Sequence, residues 1–464
     1  MKDGTPIAHV IAAEIFSRRR MIAALLLAMA MVCAGCGDDD EGAASPAGPT
    51  FGDTVAVNTH YAGLRGALDV PAIAKLGAAG VRLLRNDLEW AAVEHTPGVY
   101  DFSTTRFDAL ADAAVQNGMR MLFILDYGNT LYGPARAVVD DAGRAAFARF
   151  AAAAASRYSG RHFVWEIWNE PNLPEFWSTK GAGPDPAQYA LLVDAAVPAI
   201  RAADPTATIL IGAVFDGLPD FVPILGGIPG ADFLARLFAT GVLDRVDGVS
   251  AHFYRSEPPE TVATDVGVIR DLMAAAGRTV PVWSGEWGYS TYDPTARPTG
   301  INYLLPVTLD GQASYVARMF LSDYELGLAG SVYYQDREPA NPSPGNIEDN
   351  WGLMLDDLSP KPSYQALSTL TRFLGDGRLA DRLSLGSGAH GLVFDAGGEV
   401  VTALWAENPV TWRLRAADSS ARVIGRDGAD ITPADLHDGA ALAVQPDQGP
   451  IYLQGKITVG VASE

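Results

Sequence analysis

Two glutamates in this chain sit in nearly the same local setting. Glu170 follows the run Val164-Trp165-Glu166-Ile167-Trp168-Asn169 and precedes Pro171-Asn172, and Glu286 follows Val282-Trp283-Ser284-Gly285 and precedes Trp287-Gly288. Each run has strand character and ends at a carboxylate, the first broken by Pro171. Two facing carboxylates can divide labour. One, protonated, gives its proton to a leaving oxygen; the other, ionised and about 5–5.5 Å away, attacks the carbon that oxygen leaves. That is the chemistry of cleaving a glycosidic bond with retention at the anomeric carbon. A single Glu at a strand end more often caps a segment or pairs with an arginine; the repeated setting is what sets these two apart.

Such a pair needs a scaffold that brings distant strand ends together. Short β-rich runs alternate with longer Ala/Leu-rich runs of helical period, as when parallel strands are joined by crossover helices. Strands are expected at 54–58, 81–86, 120–125, 163–168, 208–213, 248–252, 281–285 and 330–335. Helices are expected at 70–79, 104–116, 140–158, 186–203, 231–240, 260–276, 311–326 and 363–374. Eight of each predict an α/β fold, a (β/α)8 TIM barrel whose working residues lie at the C-terminal strand ends. A doubly wound open sheet is the alternative, disfavoured because no G-x-G-x-x-G or G-x-x-x-x-G-K turn follows an early strand. After Leu374 short alternating runs (390–395, 399–406, 411–416, 420–424, 440–444, 451–454) predict a small antiparallel β-sandwich. The expected division is a barrel over 51–375 and a β-domain over 376–464.

With these motifs in place, the chain resembles the clan A (β/α)8 retaining glycoside hydrolases, most closely family 39 and the cellulase-like family 5. The resemblance spans roughly 50–374. It implies Glu170 as acid/base, Glu286 as nucleophile and Asn169 as donor to the sugar 2-hydroxyl. His252-Phe253-Tyr254 is similar to the clan's His-x-Tyr, which implies that the Tyr254 hydroxyl orients the nucleophile; barrel-top packing is the lesser alternative for both residues. Arg85, on strand two with Asp87 and Trp90, can hold Glu286 ionised or belong to an internal ion pair. The segment 90–102 and the closing segment 351–370 resemble corresponding clan segments. By position at the active face, Asn58-Thr59-His60 and Asp126-Tyr127-Gly128-Asn129 are expected to line sugar subsites, His60 being as readily a core histidine. Trp168, Trp177, Trp287 and Trp351 are candidates to stack on sugar rings, although the core is the default for any one of them. On strand eight, where many clan members carry Trp, Tyr334 or Trp351 is expected to substitute. The expected substrate is a β-linked oligo- or polysaccharide; transglycosylation and a sugar-binding protein without catalysis are the rivals. No cofactor is required, and no metal is implied, because His60 and His252 have no carboxylate at ligand spacing in sequence.

Composition narrows the partners. A net charge of -21 argues against nucleic acid. Arg18, Arg19 and Arg20 precede the apolar run 21–32 and then Cys33-Ala34-Gly35-Cys36. This is the layout of a secretory signal, and Ala34-Gly35-Cys36 resembles a bacterial lipobox, implying cleavage before Cys36 and lipidation of its thiol. A redox or metal C-x-x-C is disfavoured, since no further cysteine exists. Residues 1–36 therefore read as signal peptide and 37–50 as an acidic, then Pro/Gly-rich tether. The chain is expected to be an exported, membrane-anchored lipoprotein facing the periplasm or cell surface, monomeric, with a carbohydrate substrate.

Overall fold

The computed structural model describes residues 48–462 apart from 65, 180, 217 and 219. The expected signal peptide, Cys36 and all but the last three residues of the expected tether lie outside that set. No helix among the described residues is long and apolar enough to cross a membrane.

Eight parallel strands close into a barrel: β1 (Val55–Asn58), β2 (Leu83–Glu89), β3 (Arg120–Asp126), β4 (Val164–Ile167), β5 (Thr208–Phe215), β6 (Gly248–His252), β7 (Val282–Trp287) and β8 (Gly330–Tyr333), with β8 pairing back onto β1. The helices α1 (Val70–Ala78), α2 (Phe107–Gln116), α3 (Asp141–Arg157), α4 (Pro186–Ala203), α5 (Gly230–Phe238), α6 (Val262–Ala275), α7 (Leu309–Glu325) and α8 (Pro362–Leu374) alternate with them. The fold is the TIM barrel expected. β2, β3 and β5 run further toward the active face than their sequence suggested, because ladder pairing carries through polar residues such as Asp87 and Glu89 up to Glu89 opposite Asp126.

Side-chain alternation sorts the barrel into layers. Ala56, Leu83, Leu122, Ile124, Val164, Leu210, Trp283 and Val332 form an apolar floor inside it. Trp283 fits because two neighbours lack a side chain: a Cβ on Gly330 would come within 2.1 Å of its indole, and one on Gly248 within 3.1 Å. Two residues further along, the same inward phase becomes polar, giving Asn58, Arg85 and Glu166, while the outward residues pack under the helices.

Two β-bulges interrupt this alternation. Against β6, Gly212 pairs with Ser250 but Val214 with Ala251, so Ala213 is an extra residue on β5. On β7 the register shifts against both neighbours between Ser284 and Glu286. Gly285 is the extra residue, and a Cβ there would lie 2.0 Å from Ser250 Oγ. The slip reverses the phase: Glu286 turns into the barrel and Trp287 outward against Phe320 and Tyr333.

Beyond the barrel, β9 (Arg378–Arg382), β10 (Ala389–Ala396), β11 (Glu399–Ala406), β12 (Val410–Ala416), β13 (Arg422–Ile424), β14 (Ala440–Val444), β15 (Ile451–Gln454) and β16 (Ile457–Val461) form antiparallel sheets ordered β9-β10-β11-β15-β13 and β14-β12-β16. β9 escapes the sequence reading because it is largely exposed and lacks an alternating apolar face, whereas β16 alternates Ile457, Val459 and Val461 but follows Gly455 directly after β15 and is only half-buried. The hairpin of Glu94–Thr96 with Val99–Tyr100 is too short to signal itself.

The described residues from 48 onward form one compact unit. Where the sheets meet the barrel, buried Arg318 of α7 donates twice to Glu260, at 2.8 and 2.7 Å, and Trp405 Nε1 of β11 donates to the same carboxylate at 2.8 Å. Glu260→Ala strands the guanidinium, so unfolding in guanidinium chloride should show a loss of about 3–5 kcal/mol. An unchanged midpoint would remove this contact from the account of how the sheets are held.

Candidate active site

The site is built around Arg85, which is completely buried. Its Nε donates to Glu166 Oε2 at 2.7 Å, Nη1 to Asn58 Oδ1 at 3.0 Å and to Glu286 Oε1, and Nη2 to Asn169 Oδ1 at 2.9 Å. From β2, one guanidinium thus fixes groups of β1, β4 and β7, using a planar set of donors that lysine lacks. Because Arg85 occupies Asn169 Oδ1, the amide nitrogen of Asn169 is the atom left for the cavity.

Glu286 also accepts from the Tyr254 hydroxyl at 2.8 Å. Burial pushes its carboxyl up, but His252, the Arg85 cation and the two hydrogen bonds outweigh this and hold it below the ordinary carboxylate range. Glu170 goes the other way. Burial dominates, the nearby Glu286 charge adds to it, and His252 with Arg85 only partly offset them, so its carboxyl is raised.

His252 links the pair. Its Nδ1 lies 2.8 Å from Glu170 Oε1 and 3.6 Å from Glu286 Oε2. Its Nε2 faces Arg85 Nη2 at 3.4 Å, and since Arg85 can only donate, the ring proton belongs on Nδ1. Atoms of Glu170, His252 and Glu286 all lie within 4.8 Å of one another. Sequence spacing therefore misleads about His252: the fold gives it two carboxylate companions. The Arg85 cation already neutralises one of them.

The backbone at Glu170 is held in an uncommon conformation, with φ +71° at Trp168 and +44° at Glu170. Such positions cost on the order of 1–3 kcal/mol each and persist only where surroundings fix them. Here the Trp168 N–H donates to Leu125 O and the Glu170 N–H to the carbonyl of Ala213, the extra residue on β5. One bulge therefore anchors Glu170 and the other aims Glu286.

Both carboxylates open into a cleft of about 400 Å³ lined also by His60, Tyr127, Asn169, Tyr254, Tyr334 and Glu348. His60 is a cleft residue, with Nδ1 3.3 Å from Asp87 Oδ2 and Nε2 3.3 Å from the Tyr334 hydroxyl. Several expectations need correction. Asp126 is fully buried, because β3 stays in register up to it; Tyr127, the next residue, takes the cleft position. Asn129 is turned away to donate to Glu94 O. Trp168, Trp177, Trp287 and Trp351 are all buried and none lines the cleft. Trp168 packs on Trp177, Trp287 faces the helix layer, and Trp351 backs Tyr254 and Tyr334 from behind. On β8's end it is Tyr334, not Trp351, that reaches the cavity. Arg85 and His252 likewise touch no substrate space; they position the carboxylates.

Sequence reasoning passed over Glu166, Tyr303 and Glu348. A charged residue in the middle of Val-Trp-Glu-Ile-Trp was a signal, since a buried strand carboxylate needs a partner. The Tyr303 hydroxyl donates to Glu348 at 2.9 Å from a long loop without local pattern.

Arg85→Lys keeps a charge but cannot reach all these acceptors at once. We expect kcat/KM to fall on the order of 10²-fold. The acid limb of its pH profile should move to higher pH as Glu286 loses stabilisation of its ionised form; a stationary limb would detach Arg85 from Glu286 ionisation.

A closed barrel with two carboxylates converging from the ends of β4 and β7 defines the class: this protein is a glycoside hydrolase. It belongs to the cellulase family, glycosyl hydrolase family 5, whose model matches residues 53–315. Similar solved structures include a family 39 glycoside hydrolase from Bacteroides cellulosilyticus (22% identity, TM-score 0.69, covering 88% of this chain and 82% of that one). A monomeric β-xylosidase from Caulobacter crescentus follows at 16% and 0.56, covering 87% and 96%. A family 30 endoxylanase from Clostridium papyrosolvens is 12% identical, with a TM-score of 0.54 over 88% and 96%. At these identities the likeness is one of fold. No curated protein matches the chain.

Proposed function

We propose that the protein hydrolyses β-glycosidic bonds with retention of configuration, with Glu170 as acid/base and Glu286 as nucleophile. The observation that carries this is the close approach of two carboxylates, within 4.8 Å, with opposite displacements of their proton affinity. An inverting pair would stand about 6.5–9.5 Å apart to admit a water between them. In the first step Glu170 protonates the glycosidic oxygen while a Glu286 oxygen bonds to the anomeric carbon, and the C–O bond to the leaving group breaks. In the second, Glu170, now a carboxylate, takes a proton from water, whose oxygen displaces Glu286 and frees the sugar. Asn169 offers its amide N–H to the 2-hydroxyl throughout.

β-Linked oligo- and polysaccharides contain such bonds, as do β-glycosides of non-sugar alcohols. The β-xylosidase and endoxylanase among the structures of similar fold make xylan-derived substrates the first to try. Incubation with a 2-deoxy-2-fluoro-β-xylosyl or -glucosyl fluoride, followed by mass spectrometry, should place one glycosyl group on Glu286; an intact mass unchanged in every case, with an active enzyme, would overturn the covalent route. The layout around Cys36 supports a lipid anchor on an exported enzyme, which we take to act as a monomer with the C-terminal sheets as its second domain. Metabolic labelling with a fatty-acid probe should mark the wild type and not Cys36→Ser.

A further inference from the structure

The cleft is not uniform in chemistry. Around Glu286 it offers hydrogen-bonding groups, His60, Asn169, Tyr254, Tyr334 and Glu348. Beyond Glu170 it is walled by Leu173, Phe176, Phe221 and Leu225, with Tyr127 stacked on Phe176, Phe215 stacked on Tyr254 where the two halves meet, and Glu175 the charged lining residue of that loop.

The apolar wall is built onto the loop that carries the acid. Fully buried Asn172, two residues after Glu170, donates to Phe215 O and Ile228 O, both at 3.0 Å, and accepts from the Phe215 N–H at 3.0 Å. Both ends of the segment from Phe215 to Ile228 are thereby pinned to the acid loop, and Leu173 N–H donates back to Glu170 O. The group next to Glu170 is the oxygen it protonates, so this wall faces the leaving group.

A sugar there would meet few partners for its hydroxyls. Flat phenyl rings alone could stack on a pyranose, but Leu173 and Leu225 present no flat face, and the nearby Tyr303 hydroxyl gives its proton to Glu348, which leaves it only as an acceptor. Exposed Ile224 and half-exposed Leu225 extend the apolar character to the rim.

We infer that the leaving-group half of the cleft takes an apolar aglycone, an alkyl or aryl group, rather than a second sugar. This rests on the retaining reading above and narrows its substrate to β-glycosides of apolar alcohols or phenols. Bond balance is unchanged: the alcohol departs with the Glu170 proton.

The test compares methyl, octyl and β-1,4-disaccharide forms of the same glycone, once with xylose and once with glucose. An alkanol is no better a leaving group than a sugar hydroxyl, so a preference for it reports binding. Octyl should exceed methyl in kcat/KM by about thirtyfold or more, mainly through KM, given the apolar area covered, and should exceed the disaccharide as well. Leu225→Asp, at a half-exposed loop position that folding tolerates, should bring the octyl-to-methyl ratio down at least fivefold, and Phe221→Ser should do the same. A disaccharide preferred over octyl, or a ratio indifferent to both substitutions, overturns the inference while a Glu286 adduct with the fluoro-sugar leaves retention standing. Absence of both turnover and adduct overturns the two together.

Discussion

Glu286→Gln should lower kcat by roughly 10⁴-fold or more on any substrate the wild type cleaves, with folding intact. The amide is nearly the same size, its one oxygen can keep the Arg85 bond and its NH2 can donate to the Tyr254 hydroxyl, but it cannot form the glycosyl ester. The variant also reads out the design around Arg85: with the nucleophile's charge gone, Glu166 remains as the buried counter-ion, so circular dichroism and melting should change far less than activity. A variant that keeps wild-type turnover would remove Glu286 from the reaction.

Glu170→Gln tests the other half and carries a pH signature. In the wild type, kcat/KM should need Glu286 ionised and Glu170 protonated. Activity should therefore rise with pH through the lowered Glu286 value and fall again as pH passes the raised Glu170 value. In Glu170→Gln the alkaline limb should disappear and kcat/KM on a poor leaving group should drop by roughly 10²–10⁴-fold. An aryl glycoside with an acidic phenol should suffer less, because its oxygen leaves without a proton. Persistence of the alkaline limb in this variant would assign it to another group.

The barrel was legible because its strands are buried on both faces and its helices are long, so the period changes sharply at each crossover. The two catalytic candidates were legible because each ends a strand run beside a recognisable neighbour, Asn169 or Gly285. What escaped was phase. In sequence Asp126 looks like a cleft residue because a polar residue at a strand end reads as loop, yet β3 continues through it. The indoles at Trp168 and Trp287 stand near strand ends, where a ring could meet a sugar, but Trp287 follows the inward Glu286 and points outward against Phe320, and Trp168 packs back on Trp177. Glu166 and Glu348 acquire their roles only from partners far away in sequence, Arg85 and Tyr303, which no local pattern announces.

Gly285 gives β7 one residue more than its neighbours use. Below that point the strand obeys the packing rhythm of the barrel wall, and above it the rhythm is inverted. An idealised barrel copied from this fold, with evenly pleated strands carrying the same letters, would show an indole to the substrate and hide the nucleophile among the helices. The extra glycine is thus a frame shift written in three dimensions, and any transplant of this chemistry to another scaffold has to carry the irregularity along with the glutamate.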